Sequence, residues 1–158
     1  MNNRIILFIC AGNICRSPMA EYMLRERLKP DSDWTVSSAG LAACLWISAS
    51  YAAIDVLAEH DIDMGGHKSK PVNRELVDEA SLIVVMTLSQ HKEMRMLFPD
   101  AAEKVFYLRH FDPEAEEKDI IDPIGASIEV YREIYDKIDS ALPGLIEFLK
   151  TMHVKQEE

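Results

Sequence analysis

The sequence predicts a three-layer α/β fold: a parallel sheet covered by helices on both faces, with a ligand-binding loop after its first strand. Three observations predict it. Arg4-Ile-Ile-Leu-Phe-Ile-Cys10 is a continuous apolar run rich in β-branched residues, as expected of a strand buried on both faces. Further strand-like runs alternate with helical segments along the chain, the pattern of a parallel sheet with crossover helices. A short Gly-containing loop joins the first strand to the first helix, the place where ligands bind in such sheets.

Taken in order, the first strand is followed by a loop and then by Ser17-Pro18, whose chemistry opens a helix, with Ser17 as the cap and Pro18 in the first turn. That helix, Pro18 to Leu28, carries Ala20, Met23, Leu24 and Leu28 on one stripe. Thr35 to Ser38 reads as a second strand. Ser50 to His60 is helical, with Ala53, Ile54, Leu57 and Ala58 inward. Asn73 caps a short helix to Ala80. Leu82 to Met86 is a third strand, Gln90 to Phe98 a helix, and Lys104 to Leu108 the last strand. Ser127 caps a final helix to Met152, with an interruption expected near Pro143-Gly144.

Length and composition set bounds. At 158 residues the chain is expected to be a single domain over 1–158, able to bury a core without disulfides. Its longest apolar run, Ile5 to Ala11, is far too short to span a membrane. That run ends in Gly-Asn rather than in a cleavage site, so the protein is expected to be cytoplasmic. Three cysteines, Cys10, Cys15 and Cys44, make no disulfide framework, and no Cys/His spacing fits zinc. The net charge of −10 argues against nucleic acid or an anionic membrane as partner. An anionic substrate then requires a local cationic pocket. Glu114-Ala-Glu-Glu-Lys-Asp119 reads as a solvated loop.

The segment Cys10-Ala-Gly-Asn-Ile-Cys-Arg-Ser17 carries the chemistry. Backbone N–H groups of residues 11–17 can turn inward and form an anion nest at a helix N-terminus. Gly12 is expected to supply freedom where the loop bends tightly. Arg16 can fork two phosphoryl oxygens. Cys10 then lies beneath the phosphorus, in a positive field that favours the thiolate, its nucleophilic form. Ser17 can donate a hydrogen bond to the sulfur. A cysteine at a strand end followed by arginine at this spacing also arises by chance. The longer match through Ser17-Pro18 to Ala20-Glu21, placed on strand, loop and helix, is specific.

The segment Phe8 to Glu21 resembles the signature of the low-molecular-weight protein tyrosine phosphatases, and the similarity runs over essentially the whole chain. Ser37-Ser-Ala-Gly40, His60-Asp-Ile-Asp-Met-Gly-Gly-His67 and Asp119-Ile-Ile-Asp-Pro123 resemble later family segments. The resemblance implies a four-stranded parallel sheet flanked by helices, no metal or other cofactor, a phosphorylated protein or peptide as substrate and inorganic phosphate as product. It implies Cys10 as nucleophile, Arg16 as phosphate clamp and Asp122 as general acid. Asp112-Pro113 competes with Asp122-Pro123 for that last role. Asp122 is preferred because Gly125 and Ser127 follow it before the last helix, as in the family. His67 matches a histidine that supports the loop through Asn13, and Ser38 a serine of the same network. Cys15 matches a cysteine that pairs reversibly with the nucleophile, the alternative being a small buried filler.

Substrate choice depends on the pocket walls. Ala11, Ile14, Leu45, Trp46 and Ile124 are candidates, with Trp46 either an exposed wall or a core residue. Ile124-Gly125 stands where relatives commonly carry aromatics. A sibling branch removes phosphate from arginine and carries Thr where this chain has Ile14. An isoleucine there packs an aryl ring, which favours tyrosine over arginine. An arsenate reductase needs two further redox cysteines, and only Cys44 follows Cys15. A non-catalytic phosphate-binding module needs neither a nucleophile nor an acid. Neither the physiological substrate nor the oligomeric state is legible.

Overall fold

The computed structural model describes residues 4–154. Four strands, β1 (Arg4–Cys10), β2 (Trp34–Gly40), β3 (Leu82–Val85) and β4 (Val105–Tyr107), form one sheet in the order β2-β1-β3-β4. Every pairing is parallel: Cys10 lies beside Gly40, Ile9 beside Val85, and Val85 beside Tyr107. The helices are α1 (Arg16–Arg27), α2 (Tyr51–Ala58), α3 (Arg74–Glu79), α4 (Leu88–Leu97) and α5 (Ile128–Val154).

β1 alternates its side chains between two apolar layers. Ile6, Phe8 and Cys10 face a core built with Met19, Met23 and Leu24 of α1, Val56 and Leu57 of α2, and Ile134, Ile138 and Leu142 of α5. Leu7 and Ile9 face a second core with Val77 of α3, Met94 of α4 and Val105. A strand buried on both faces has no polar positions to spare, which is why β1 reads as an unbroken apolar run. Burying Phe8 completely contributes about 2 kcal/mol by transfer alone.

Caps fix several helix starts. The side chains of Ser50, Asn73 and Thr87 accept from the backbone N–H groups of Ala53, Leu76 and Gln90. The Thr87 cap begins α4 at Leu88, earlier than the Gln90 start read from the sequence. α1 differs from expectation in the same way: it begins at Arg16, and Ser17 is its second residue rather than its cap. The Ser17 hydroxyl is directed to Cys10 instead. The final helix also departs from the reading, running unbroken past Pro143. Gly144 there marks a close approach and not a break. A Cβ on it would lie 2.0 Å from the carbonyl oxygen of Phe111, in a 3₁₀ turn (Leu108–Phe111) packed against α5.

Candidate active site

The carboxyl end of β1, the loop 11–15 and the start of α1 enclose a pocket of about 270 Å³. Its lining is Cys10, Ala11, Gly12, Ile14, Cys15, Arg16, Ala42, Asp122 and Ile124. Three segments distant in sequence thus meet at the point where β1 delivers its last residue.

The loop is held from below by a polar network centred on Asn13, which is wholly buried. Its backbone N–H points at Cys10 Sγ (3.3 Å), and its amide nitrogen donates to both Ser17 Oγ and Ser38 Oγ (2.9 Å each). The amide oxygen accepts from the Lys70 backbone N–H (3.1 Å), and the carbonyl meets His67 Nε2 (2.8 Å). Ser17 Oγ lies 2.9 Å from Cys10 Sγ. Asn13, and not Gly12, carries the left-handed turn, with φ 57°. The tight bend assigned to Gly12 therefore falls one residue later, on a residue whose short amide tolerates that conformation. The glycine that the loop does require is Gly40, where a Cβ would lie 2.5 Å from the Ala11 carbonyl oxygen. The backbone N–H groups of Leu41 and Ala42 then bond the carbonyls of Cys10 and Ala11.

Arg16 is buried, and its Nη1 donates to the Ile120 carbonyl (2.8 Å) while Nη2 stands 3.8 Å from Asp122 Oδ2. Its Nε is buried with no protein partner among the described residues, a donor on the guanidinium of a pocket-lining residue. Asp122 reaches the pocket because Ile120 is anchored, its N–H bonding the Met86 carbonyl at the end of β3 (2.9 Å). Asp119 adds a second anchor by accepting from Leu88 N (2.8 Å). Beyond it, Asp122 Oδ1 accepts from Ile124 N, and the Ala126 N–H bonds the Pro123 carbonyl around Gly125 at φ 77°, a turn that needs glycine at its third position. The carboxylate stays about half exposed. Asp112 does not line the pocket.

Cys15, also in the pocket lining, is tied to the last helix. Its thiol meets Ser50 Oγ and the Tyr131 hydroxyl, both at 3.4 Å, and burial pushes its pKa up. Burial likewise pushes the Tyr131 hydroxyl up to about 12, so both groups stay protonated at neutral pH. All three cysteines are free thiols, and Cys44 is exposed.

Of the expected walls, Ala11, Ile14 and Ile124 line the pocket, and Leu45 and Trp46 do not. They stand 60% and 69% exposed on the following loop, so Trp46 is not a core residue. Trp46 N and Ile47 N are pinned to Ser69, which sets the loop off to one side, and Trp46 takes φ 67°. Ala42 takes the wall position instead, brought in by its bond to Ala11. No local signal in the sequence marks Ala42. Its place follows from the parallel register of β1 and β2.

A family model described as "Low molecular weight phosphotyrosine protein phosphatase" matches residues 5–156. The chain belongs to this phosphatase family. It is 40% identical over 147 residues to a protein-arginine-phosphatase of Geobacillus stearothermophilus, covering 92% of this chain and 96% of that one. It is 39% identical over 123 residues to the low molecular weight protein-tyrosine-phosphatase Ptp of Acinetobacter johnsonii, covering 78% and 82%. Among solved structures, the YwlE arginine phosphatase of Geobacillus stearothermophilus superposes with a TM-score of 0.86 at 36% identity, covering 96% of each chain. As a member of this family the chain is a phosphoric monoester hydrolase. The four-stranded parallel sheet and the cysteine loop after β1, expected from the sequence, are those of the family fold. Among the described residues no helix is long and apolar enough to cross a membrane.

Proposed function

We propose that this phosphatase hydrolyses phosphotyrosine in proteins through a phosphocysteine on Cys10, with Asp122 as general acid. The observation that carries the reading is the convergence of Cys10, Arg16 and Asp122 on one pocket, with Ser17 2.9 Å from the sulfur. The phosphoryl group sits in the N–H cradle of residues 11–17, and the Arg16 guanidinium forks two of its oxygens. Cys10 thiolate attacks phosphorus as the phosphorus–oxygen bond to tyrosine breaks, and Asp122 gives its proton to the departing phenolate. Asp122, now a carboxylate, takes a proton from water. The water oxygen bonds phosphorus, the sulfur–phosphorus bond breaks, and inorganic phosphate and the Cys10 thiolate are released. Ser17 stabilises the sulfur in both steps, and Asn13, Ser38 and His67 hold the loop. Cys15 serves as a redox partner for Cys10.

Ile14 and Ile124 supply apolar walls against an aryl ring, which supports tyrosine. The arginine reading is supported by the 40% identity to a protein-arginine-phosphatase. We take the catalytic unit to be the whole chain as one domain, in keeping with the match over residues 5–156. We place it in the cytoplasm, consistent with its free thiols. The test is turnover of matched phosphotyrosine and phosphoarginine peptides by the unmodified protein, Cys10→Ser and Ile14→Thr. The expected result is faster phosphotyrosine turnover, abolished by Cys10→Ser with phosphate-analogue binding retained, and a shift toward phosphoarginine in Ile14→Thr. Substantial turnover by Cys10→Ser rejects the covalent route, and faster phosphoarginine turnover by the unmodified protein rejects the substrate.

A further inference from the structure

Glu21 stands inside the signature segment but touches neither the pocket nor Cys10. It is only 8% exposed, an unusual place for a carboxylate. Its Oε1 accepts the Ser38 hydroxyl hydrogen at 2.5 Å, and its Oε2 pairs with Arg25, which also bonds the Val36 carbonyl. From Ser38 a chain of hydrogen bonds runs through the Asn13 amide to Ser17 and on to Cys10 Sγ.

The directions along this chain follow from what each group can donate. An ionised carboxylate only accepts, so the single hydroxyl hydrogen of Ser38 is committed to Glu21. Ser38 then offers only lone pairs to Asn13, and the amide NH₂ is the end that fits against it. The same NH₂ faces Ser17, so Ser17 accepts from Asn13 and its own hydrogen is left for Cys10. Were the amide reversed, its oxygen would draw the Ser17 hydrogen away from the sulfur. The Lys70 N–H opposes reversal from the other side by donating to Asn13 Oδ1.

We propose that Glu21 is a positioning residue, a buried carboxylate that acts through Ser38 to lock the Asn13 amide so that Ser17 donates to the Cys10 thiolate. The proposal rests on the reading of Cys10 as the nucleophile. The other charged and titratable groups around the relay, among the described residues, are Arg25 on Glu21, Tyr22 against Arg25 and His67, His67 on the Asn13 carbonyl, Lys70 on Ser37, and Arg16, Cys15 and Asp122 in the pocket wall. Charge alone acts in the opposite sense: neutralising Glu21 removes a negative charge and so favours the thiolate. The sign of the effect therefore separates a relay from a through-space field.

The test is the pH profile of Cys10 alkylation by iodoacetamide, with the modified site located by tandem mass spectrometry. It is run on the unmodified protein, Glu21→Gln, Ser38→Ala and the double variant, all checked for a native far-UV spectrum. The expected result is that Glu21→Gln moves the midpoint up by about half a unit or more. On the Ser38→Ala background the same change gives no further rise, because the link is already cut. A midpoint that stays or falls in Glu21→Gln overturns the proposal. An equal rise with and without Ser38 overturns it too. Hydrolysis of p-nitrophenyl phosphate by Cys10→Ser is measured alongside. Turnover there rejects the nucleophile assignment while leaving the alkylation result to stand for the relay by itself.

Discussion

At Asn13 every polar atom of the residue has a partner, and these bonds hold a backbone angle that a side chain seldom adopts. The pocket is thus shaped before any phosphate arrives, which spares the reaction the cost of ordering the loop. Asp122 is the counterpoint. Its carboxylate is half exposed where a turn begins, 3.8 Å from the Arg16 guanidinium. We expect Asp122→Ala to lower kcat by about 10²-fold or more for phenyl phosphate, and by much less for p-nitrophenyl phosphate, whose leaving group needs little protonation. Equal losses on the two esters would reject Asp122 as the acid. At this scale the sequence was most informative where chemistry is local: Cys10, Arg16 and Ser17 were named from motif and spacing, whereas Asp122 came from the family resemblance. It misplaced the bend on Gly12, because glycine is the default for left-handed backbone and three of the five bonds that sustain Asn13 there come from the distant residues Ser38, His67 and Lys70.

Among the elements, α5 shows most clearly how a distant contact can override a local signal. Pro143 withholds one helical donor, and a Pro-Gly pair ordinarily ends a helix. The helix nevertheless continues, since Ile138, Ala141, Leu142, Leu145 and Leu149 are all buried, and breaking it would expose that stripe. Gly144 serves the packing, because the Phe111 carbonyl occupies the space that a Cβ would take, 2.0 Å away. Two effects compete in Gly144→Ala. Alanine gains about 1 kcal/mol of helix propensity, while forcing backbone apart costs about 1–3 kcal/mol or more. A clash this short, against backbone rather than a flexible side chain, puts the cost at the upper end. The expected outcome is a melting temperature lower by about 5 °C, read by calorimetry. An unchanged or raised melting point would mean that the 3₁₀ turn yields freely and that the contact does not position α5.

For the whole molecule, the fold class was legible because a sheet buried on both faces imposes unbroken apolar strands and alternating helices. Composition also conveyed an electrostatic conflict between the chain and an anionic substrate, which a local cationic pocket has to resolve. Acidic residues outnumber basic ones 27 to 17, giving a net charge of −10, yet the pocket holds the buried cation Arg16 and the N-terminus of α1. The two fields act over different distances. The cradle binds phosphoryl oxygens in direct contact, where dissolved ions screen little, whereas the diffuse negative field acts across solvent and fades beyond a Debye length, about 30 Å at 0.01 M salt and about 8 Å at 0.15 M. A dianionic ester approaching at low salt therefore meets net repulsion before it meets the cradle. Raising sodium chloride from about 0.01 to 0.15 M should then increase kcat/KM for p-nitrophenyl phosphate about threefold or more, with kcat nearly constant because the bound complex is shielded from the change. A kcat/KM that instead falls steadily over this range would show that attraction by the pocket reaches into solvent and outweighs the charge of the chain.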